Sequence, residues 1–331
     1  MDSLLKVEGL QVQFQTKKGI NTSVDGVSFS IGKGEILGIV GESGCGKSVT
    51  SLSILQLLGT NAKISQGSIK LSGRELLGLS EEEMCKIRGN EIAMIFQDPM
   101  TALNPTLTIG EQLIEPLVIH QGYSKADARK EAVEVLKKVG IAAPEKRMKE
   151  YPHQLSGGMR QRVLIALATF LNPSVVLADE PTTALDVVVQ KDILTMLMAV
   201  QKKMKNSMVI VSHDMGVHYQ VTDRMGIMYA GQMIEIGPTE EIFNNPRHPY
   251  TQMLIGALPR VGDNSQKEGI PGTPPSLKNP PAGCRFAMRC KYATDECRKI
   301  QPETVQVGER HYAACLLLGE EAKKGGAKDG E

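Results

Sequence analysis

The sequence predicts an α/β fold, in which the strands of a mixed sheet alternate with helices. Two apolar runs, at 175–180 and 208–213, each follow a helical stretch, and such alternation is typical of a parallel sheet. Near the start of the chain, residues 5–14 and 23–31 alternate in polarity as paired antiparallel strands do. We therefore expect an antiparallel β subdomain beside the main sheet.

A glycine-rich segment joins the strand-like run at 35–40 to a helical stretch at 49–58. Residues 41–48 fit G-x-x-x-x-G-K-S, whose glycines let backbone N–H groups point at phosphate oxygens near a helix N-terminus. Lys47 can reach the β and γ phosphates, and Ser48 can bind Mg²⁺. This pattern predicts a P-loop NTPase core that binds ATP and Mg²⁺. The loop residues predicted to contact the nucleotide are Gly41, Ser43, Gly44, Cys45, Gly46, Lys47, Ser48 and Val49.

Two carboxylates, Asp179 and Glu180, end the apolar run that begins at position 175. Sheets of this type bind ligands beyond the carboxyl ends of their strands. Asp179 can hold Mg²⁺, and Glu180 can polarise a water molecule in line with the γ phosphate. Acidic pairs are also common on protein surfaces. We therefore interpret this pair as a Mg²⁺ and water site only because the phosphate loop is present in the same chain.

Composition and charge exclude several classes of protein. The chain has 331 residues, of which 41% are hydrophobic and 23% charged, enough for one large core and a smaller appendage. A net charge of +1, 4% aromatic residues and no Trp give no support to nucleic-acid binding. The longest apolar stretch, 163–171, is far shorter than the ~20 residues that span a bilayer. The first residues lack a signal-peptide pattern, which predicts a cytosolic phosphate loop.

The pattern changes along the chain in a way that predicts its domains. Residues 111–120 and 125–139 have helical periodicity, so we expect a helical subdomain inserted at about 98–160, within a nucleotide-binding domain at 1–260. Pro and Gly concentrate at 271–283 and mark a linker or rigid extension. A C-terminal extension is predicted at 261–318, followed by a disordered tail at 319–331.

The segment Leu155-Ser156-Gly157-Gly158 precedes the apolar helical run at 163–171, so it lies at a helix N-terminus, where N–H groups attract anions. It resembles the signature motif of the nucleotide-binding subunits of ATP-binding cassette (ABC) transporters. The resemblance extends over nearly all of the first 260 residues. One departure is Met159, which stands where many family members have Gln.

The resemblance implies roles for residues whose chemistry is otherwise ambiguous. Gln97 corresponds to the Q-loop glutamine, which touches Mg²⁺ and faces the membrane partner, and Ala184-Leu185-Asp186 corresponds to the D-loop. His213 corresponds to the switch histidine at the γ phosphate, and Phe14 to the aromatic residue that stacks on adenine. Taken alone, these are an ordinary loop glutamine, a strand-end histidine and a packing aromatic. Their order in the sequence favours the family interpretation.

The same resemblance implies that the nucleotide site is shared between two chains. Ser156, Gly157 and Gly158 of one chain would close over the γ phosphate held by Lys47 of another. Hydrolysis would then require a head-to-tail dimer, formed with an identical chain or with a sister ATPase. The residues predicted to act in catalysis are Lys47, Gln97, Glu180 and His213, and the predicted Mg²⁺ ligands are Ser48, Gln97 and Asp179.

Four cysteines follow the proline-rich stretch with the spacing C-x5-C-x6-C-x17-C; they are Cys284, Cys290, Cys297 and Cys315. Cytosolic proteins rarely keep disulfides, so clustered thiols indicate a metal site. The spacing lacks the paired C-x2-C of most structural zinc sites, and four thiolates can equally hold a 4Fe–4S cluster. Four buried thiols without a metal are the remaining alternative.

Residues 247–251, 271–272 and 283–290, together with 99–105, resemble the ATP-binding subunits of peptide importers, closest to the dipeptide type. For that type the resemblance implies a 4Fe–4S cluster on the four cysteines. It also implies an ATPase at the cytoplasmic face of the membrane that energises import of dipeptides or oligopeptides. The implied partners are a second ATPase subunit, two transmembrane permeases and an external peptide-binding protein. The alternatives are an importer ATPase for nickel or another small solute, or a soluble relative acting in DNA repair or translation.

Overall fold

A computed structural model describes residues 3–17, 19–183, 186–258 and 269–318. These residues fall into two compact units. The first unit contains the chain up to Leu5, Ile31–Ile36 and Ser72–Val211. The second unit contains Lys6–Ser30, Leu37–Leu71 and the chain from Ser212 onward.

The strands within the described residues are β1 (Leu5–Thr16), β2 (Gly19–Ile31), β3 (Ile36–Val40), β4 (Ala62–Leu71), β5 (Arg74–Glu75), β6 (Ile92–Ile95), β7 (Val175–Asp179), β8 (Ser207–Ser212), β9 (Arg224–Tyr229), β10 (Gln232–Pro238), β11 (Val305–Gly308) and β12 (His311–Ala313). The helices are α1 (Lys47–Ile54), α2 (Glu81–Ile87), α3 (Pro99–Ala102), α4 (Ile109–Gln121), α5 (Lys125–Lys138), α6 (Pro144–Arg147), α7 (Gly157–Thr169), α8 (Val187–Met204), α9 (Met215–Val221), α10 (Thr239–Asn244) and α11 (Pro249–Gly256), with a 3₁₀ helix at Pro152–Gln154.

Three parallel strands, in the order β8–β7–β6, form the sheet of the first unit. Ile95 lies beside Ala178, and Asp179 lies beside Val211. Every residue of β7 and β8 is buried, which explains why both strands are continuous apolar runs in the sequence. Because the strands are parallel, the residues that follow β6 and β7 emerge at the same edge of the sheet.

Helices α3 to α6 lie in the stretch where the sequence predicts an inserted helical subdomain. Thr108 and Glu111 form a capping box at the start of α4, and the Ser124 side chain caps α5. These helices share one apolar core with α7. Its buried members are Leu103, Ile109, Leu113, Ala132, Leu136, Val139, Ile141, Met148, Leu155, Val163, Leu164 and Ala166. The exact domain limits stay a prediction.

The main sheet of the second unit is mixed, with the order β11–β12–β10–β9–β3. Strand β3 pairs parallel with β9, whereas β9, β10, β12 and β11 pair antiparallel in turn. In a separate sheet of this unit, β1 lies between β2 and β4. The described part of the predicted Cys-rich C-terminal extension adds β11 and β12 to the main sheet, and the extension as a separate domain stays a prediction. An open edge on β10 would leave backbone N–H and C=O groups unpaired, and β12 satisfies them.

The side chain of Glu235 ties three parts of the second unit together. It is 1% exposed, and its Oε1 accepts a hydrogen bond of 2.7 Å from the Arg247 backbone N–H. Its Oε2 accepts one of 2.9 Å from the backbone N–H of His248, and the Nε2 atom of His311 lies 2.8 Å from Oε1. Buried polar groups are stable when paired in this way. Strands β10 and β12 and the start of α11 are thus joined around one side chain.

Most predicted elements match the observed ones to within a few residues. Helices α4 and α5 occupy the positions predicted at 111–120 and 125–139. Helix α1 is shorter than predicted, because Gln56 adopts a positive φ of 52° and the chain turns away after Ile54. No helix within the described residues has both the length and the apolar character needed to cross a bilayer.

Gly38, in the middle of β3, has no room for a side chain. A Cβ atom there would lie 2.3 Å from Nδ1 of the buried His218 and 2.9 Å from Cγ2 of Thr222. We expect Gly38→Ala to lower the free energy of unfolding by about 1–3 kcal/mol, because overpacking forces neighbours to shift. Urea unfolding measures this change. Gly256→Ala is the matched control, since a Cβ at that position meets nothing within 4 Å; equal losses in both variants would contradict the expectation.

Two buried histidines make stability depend on pH. Burial lowers the pKa of both His218 and His248 from the ordinary value of 6.5 to about 4. The unfolded chain therefore binds protons at a higher pH than the folded chain does. The stability gained from neutral histidines is complete above pH 6.5 and is lost as the pH falls towards 4.

We expect each of these histidines to contribute about 2 kcal/mol to the loss of unfolding free energy between pH 7 and pH 5. Urea unfolding at the two pH values measures the total, and His218→Gln removes the share of one residue. A variant that loses as much stability between pH 7 and pH 5 as the unaltered protein would show that His218 does not contribute.

Candidate functional site

The phosphate loop lies in the second unit, between the buried strand β3 and helix α1. Gly46 caps the helix with a φ of 105°, a conformation that residues with side chains rarely adopt. The hydroxyl of Thr50 donates a 3.0 Å hydrogen bond to the Gly46 carbonyl. The sequence Gly46-Lys47-Ser48 thus turns the chain from strand to helix and places the N-terminus of α1 at the loop.

The loop is packed against backbone on two sides. A Cβ atom at Gly41 would lie 2.2 Å from the carbonyl oxygen of Met228, and one at Gly46 would lie 2.6 Å from that of Ser23. The Gly231 backbone N–H donates a 3.0 Å hydrogen bond to the carbonyl of Cys45. These contacts fix the shape of the loop without a ligand, and they explain why both positions need glycine.

Lys47 is the cation of this loop. It is 5% exposed, and its Nζ donates hydrogen bonds of 2.8 Å to the Gly41 carbonyl and 3.1 Å to the Glu42 carbonyl. The ammonium group is therefore held inside the curve of the loop. Ser43 and Gly44 are exposed at its tip, and Cys45 is buried beneath it. Burial raises the pKa of the Cys45 thiol, against the effect of the nearby Lys47 charge.

The first unit brings two predicted catalytic residues together. Gln97 follows β6 and Glu180 follows β7, and the Nε2 atom of Gln97 donates a 3.0 Å hydrogen bond to Oε2 of Glu180. The hydroxyl of Thr183 donates one of 2.7 Å to the same oxygen. Glu180 has a φ of 44°, and its N–H donates a 2.8 Å hydrogen bond to the Val211 carbonyl. A strained backbone fixed by such bonds aims one side chain in one direction.

Asp179 is the last residue of β7 and is 5% exposed. It precedes Glu180 in the chain, so its side chain leaves the strand on the other face of the sheet edge. A buried carboxylate is a ligand type that Mg²⁺ prefers, as is the hydroxyl of Ser48 in the first turn of α1. Both residues have the chemistry that the sequence assigns to them.

The Leu155-Ser156-Gly157-Gly158 segment opens helix α7 as predicted. Ser156 is its N-cap, and its hydroxyl accepts a 3.3 Å hydrogen bond from the Met159 N–H. Arg160 holds the approach to the helix, since its Nη1 donates a 3.0 Å hydrogen bond to the Leu155 carbonyl. A Cβ at Gly158 would lie 3.1 Å from a methyl group of Val189, so glycine lets helix α8 pass close by.

His213, Phe14 and the predicted D-loop are the remaining parts of the predicted site. His213 follows β8 and is exposed, and Phe14 lies in β1 with a half-buried side chain. Of the predicted D-loop, Ala184 and Leu185 lie outside the described residues. Asp186 caps helix α8, accepting a 3.0 Å hydrogen bond from the Val189 N–H. The functions of these residues stay predictions.

Two family models match this chain. Residues 24–183 match the ABC transporter model, and residues 234–297 match the C-terminal region of oligopeptide/dipeptide transporters. The dipeptide transport ATP-binding protein DppD of Bacillus subtilis is 49% identical, over 99% of this chain and 100% of its own length. The oligopeptide transport ATP-binding protein OppD of the same organism is 48% identical, over 97% of this chain and 90% of its own length.

This chain belongs to the ATP-binding proteins of ABC transporters. Solved structures agree. The ATP-binding cassette MJ0796, solved as a dimer in a post-hydrolysis state with ADP and Pi, is 30% identical and covers 71% of this chain and 98% of its own, with a TM-score of 0.64. The chain thus has the α/β fold of an ABC ATPase, with a mixed and an antiparallel sheet.

The structure corrects the prediction for the four cysteines of this ABC ATPase. Within the described part of the chain, which includes all four, no group of three or more His, Cys, Asp or Glu side chains is arranged to hold a metal ion. The predicted 4Fe–4S cluster is therefore wrong, and the described residues give no support to zinc as its alternative. The spacing of four cysteines along a chain does not by itself show that they hold one metal ion.

Packing accounts for these thiols instead. Cys284 and Cys290 pack against an apolar cluster that contains Tyr250 and Phe286. Burial raises the pKa of Cys284 to about 11 and also raises the pKa of Cys290 and Cys315. Such thiols stay protonated near neutral pH and behave as small apolar side chains.

Three residues in or around the phosphate loop of this ABC ATPase were not predicted from the sequence. Arg289 donates two hydrogen bonds of 3.0 Å to the carboxylate of Glu42, in the phosphate loop. Arg285 bonds to the carbonyl of Ala230, in the turn on which the loop rests. Both arginines lie in the segment 283–290, which marks the peptide-importer resemblance. Two arginines four residues apart, between Cys284 and Cys290, were the available signal.

Thiol reactivity tests the correction for the cysteines. We expect a thiol reagent at pH 8 to modify the exposed Cys85 at least about tenfold faster than Cys284, because only an accessible thiolate reacts. Mass spectrometry of peptides gives the rate at each cysteine, and Cys85→Ser removes the fast phase. A chelator added beforehand leaves the rates at the four C-terminal cysteines unchanged; their acceleration by chelation would contradict the absence of a metal.

Proposed function

We propose that this ABC ATPase energises the import of dipeptides or oligopeptides. It works at the cytoplasmic face of the membrane, as a head-to-tail dimer with an identical or sister ATPase. The dimer docks on two transmembrane permease subunits, which receive peptides from an external binding protein.

The C-terminal family match carries the proposal for the cargo. Residues 24–183 match a model common to ABC transporters, which leaves the solute open. Residues 234–297 match a region described for oligopeptide and dipeptide transporters, and the full-length relatives DppD and OppD are named for the same two solutes. Because these matches concern ATP-binding proteins, they support a class of peptide rather than one peptide sequence.

The phosphate loop fits a nucleoside triphosphate. Its glycines bring backbone N–H groups to a helix N-terminus, and Lys47 holds a positive charge inside the curve. We assign the β and γ phosphates to Lys47 and the loop N–H groups, and the adenine to Phe14. We further assign Mg²⁺ to Ser48, Asp179 and Gln97, whose side-chain oxygens would hold the ion; when bound, the ion would neutralise phosphate charge.

Hydrolysis requires a water molecule directed at the γ phosphate. We assign this task to Glu180, whose Oε2 is oriented by Gln97 and Thr183. A carboxylate held by two donors points in one direction, which is what a general base needs. His213 contacts the γ phosphate, and Ser156, Gly157 and Gly158 complete the site of the partner chain. The N-cap position of Ser156 supports this role, since helix N-termini attract anions.

Replacing Glu180 tests the mechanism. We expect Glu180→Gln to reduce the ATPase rate about 10²-fold or more, because an amide cannot accept a proton from water. The Kd for ATP stays close to that of the unaltered protein, and ATP traps the dimer. Phosphate release, equilibrium ATP binding and size-exclusion chromatography measure the three quantities in the complex assembled with its permeases.

Thr183→Val is the control, because it keeps the carboxylate and removes one of its donors; we expect a smaller loss than for Glu180→Gln. In proteoliposomes with the binding protein, ATP drives uptake of labelled dipeptide, and Glu180→Gln abolishes it. Unchanged ATP turnover in Glu180→Gln would refute the catalytic assignment. Normal ATP turnover with uptake of nickel but not of peptides would refute the cargo.

A further inference from the structure

Two arginines of the segment 284–290, named here the brace segment, reach the phosphate loop from the far end of the chain. They are Arg285 and Arg289, and both side chains are almost completely buried. Every contact described below lies within the second unit. The segment therefore touches the nucleotide-binding loop although about 240 residues separate them in the sequence.

Each of the three guanidinium nitrogens of Arg289 donates at least one hydrogen bond. Its Nη1 donates hydrogen bonds of 3.0 Å to Oε1 and Oε2 of Glu42 and of 3.2 Å to the hydroxyl of Tyr229. Its Nε and Nη2 donate bonds of 2.8 Å and 3.3 Å to the carbonyls of Pro271 and Ile270. The side chain of Arg289 is 6% exposed and that of Glu42 is 26% exposed, so water screens the ion pair little.

Arg285 holds the turn beneath the same loop. Its Nη1 donates to the carbonyl of Ala230, and its Nη2 forms an ion pair with Asp25. The Asp25 N–H donates a 2.8 Å hydrogen bond to the Gly231 carbonyl, while the Gly231 N–H donates one of 3.0 Å to the carbonyl of Cys45. A chain of bonds thus leads from the brace segment through the β9–β10 turn to the loop.

We propose that Arg289 is a positioning residue for ATP binding: it pairs with Glu42 and so keeps the Glu42 carboxylate from repelling the phosphates and from drawing Lys47 away. Glu42 follows Gly41 directly, and the Glu42 carbonyl accepts a hydrogen bond from Lys47. An unpaired carboxylate at this position repels the triphosphate and competes for the ammonium group of Lys47. With Arg289 in place, both carboxylate oxygens of Glu42 are paired.

Binding of ATP and packing of the brace segment are thermodynamically coupled under this proposal. Because the brace segment and ATP act on the same loop, ATP binding stabilises the seat of this segment by as much as the segment strengthens ATP binding. The inference rests on ATP binding by the ABC ATPase and is independent of the solute that is transported.

Equilibrium binding of a fluorescent ATP analogue tests the role of Arg289. We expect Arg289→Ala to raise the Kd about tenfold, as for the loss of one partly buried charge interaction, and to change the kcat of the assembled transporter little. The double variant Glu42→Gln with Arg289→Ala restores the Kd to within about threefold of the unaltered protein, because the repelling charge is gone. High salt reduces the defect of Arg289→Ala.

Arg298→Ala is the matched control, since it removes the same charge from an exposed position in the same part of the chain. Its Kd stays unchanged. Thermal melts show whether each variant folds, and Glu42→Gln alone gives a reading if Arg289→Ala does not. That single variant binds ATP as tightly as the unaltered protein or more tightly.

Three results overturn the proposal: an unchanged Kd in Arg289→Ala, no recovery in the folded double variant, or weaker ATP binding in Glu42→Gln. A purely structural role for Arg289 would give the second of these, because removing the Glu42 charge does not restore lost packing. Failure of the unaltered protein to bind ATP would instead contradict the nucleotide site itself.

Discussion

The structure of the second unit depends on a close approach of backbone to backbone beneath the phosphate loop. At Gly41 and Gly46 the loop lies so near the Met228 and Ser23 carbonyls that a single added carbon atom would collide. This contact places the loop on the β9–β10 turn and sets the start of α1. A loop that is already shaped loses little conformational freedom when phosphates bind, which favours tight binding.

In the first unit, the main constraint is on the direction of one carboxylate, that of Glu180. Parallel pairing of β6 and β7 puts Gln97 and Glu180 at neighbouring strand ends, and the positive φ of Glu180 turns its side chain towards its donors. Backbone strain of this kind costs of order 1–3 kcal/mol and persists where surrounding bonds enforce it. The strain is located at the residue to which the proposed function assigns the general base.

The sequence predicted the features that arise from local patterns. The buried strands β7 and β8 are apolar runs, α4 and α5 have helical periodicity, and the phosphate loop has a fixed spacing of glycines and Lys47. Each depends on neighbours within about ten residues, so one chain is enough to recognise it.

Features that depend on distant pairing could not be predicted in this way. Nothing near Glu42 indicates that its partner is Arg289, because the pairing arises only when the fold brings the two together. The prediction of a 4Fe–4S cluster was wrong for a related reason, since the spacing of cysteines along a chain determines neither their burial nor the direction of their thiols. Residues 283–290 carry part of the family resemblance in the sequence, and only their contacts show what Arg285 and Arg289 do.

The buried Glu235 has a consequence for the timing of folding during protein synthesis. Its partner His311 and the neighbouring strand β12 are made 76 residues after it. While the ribosome is still adding that stretch, β10 has an open edge and Glu235 lacks one of its partners. Domains generally begin to fold from the N-terminal side during synthesis, at about 5–20 residues per second. We therefore expect the nascent chain to present the unpaired edge of β10 for several seconds.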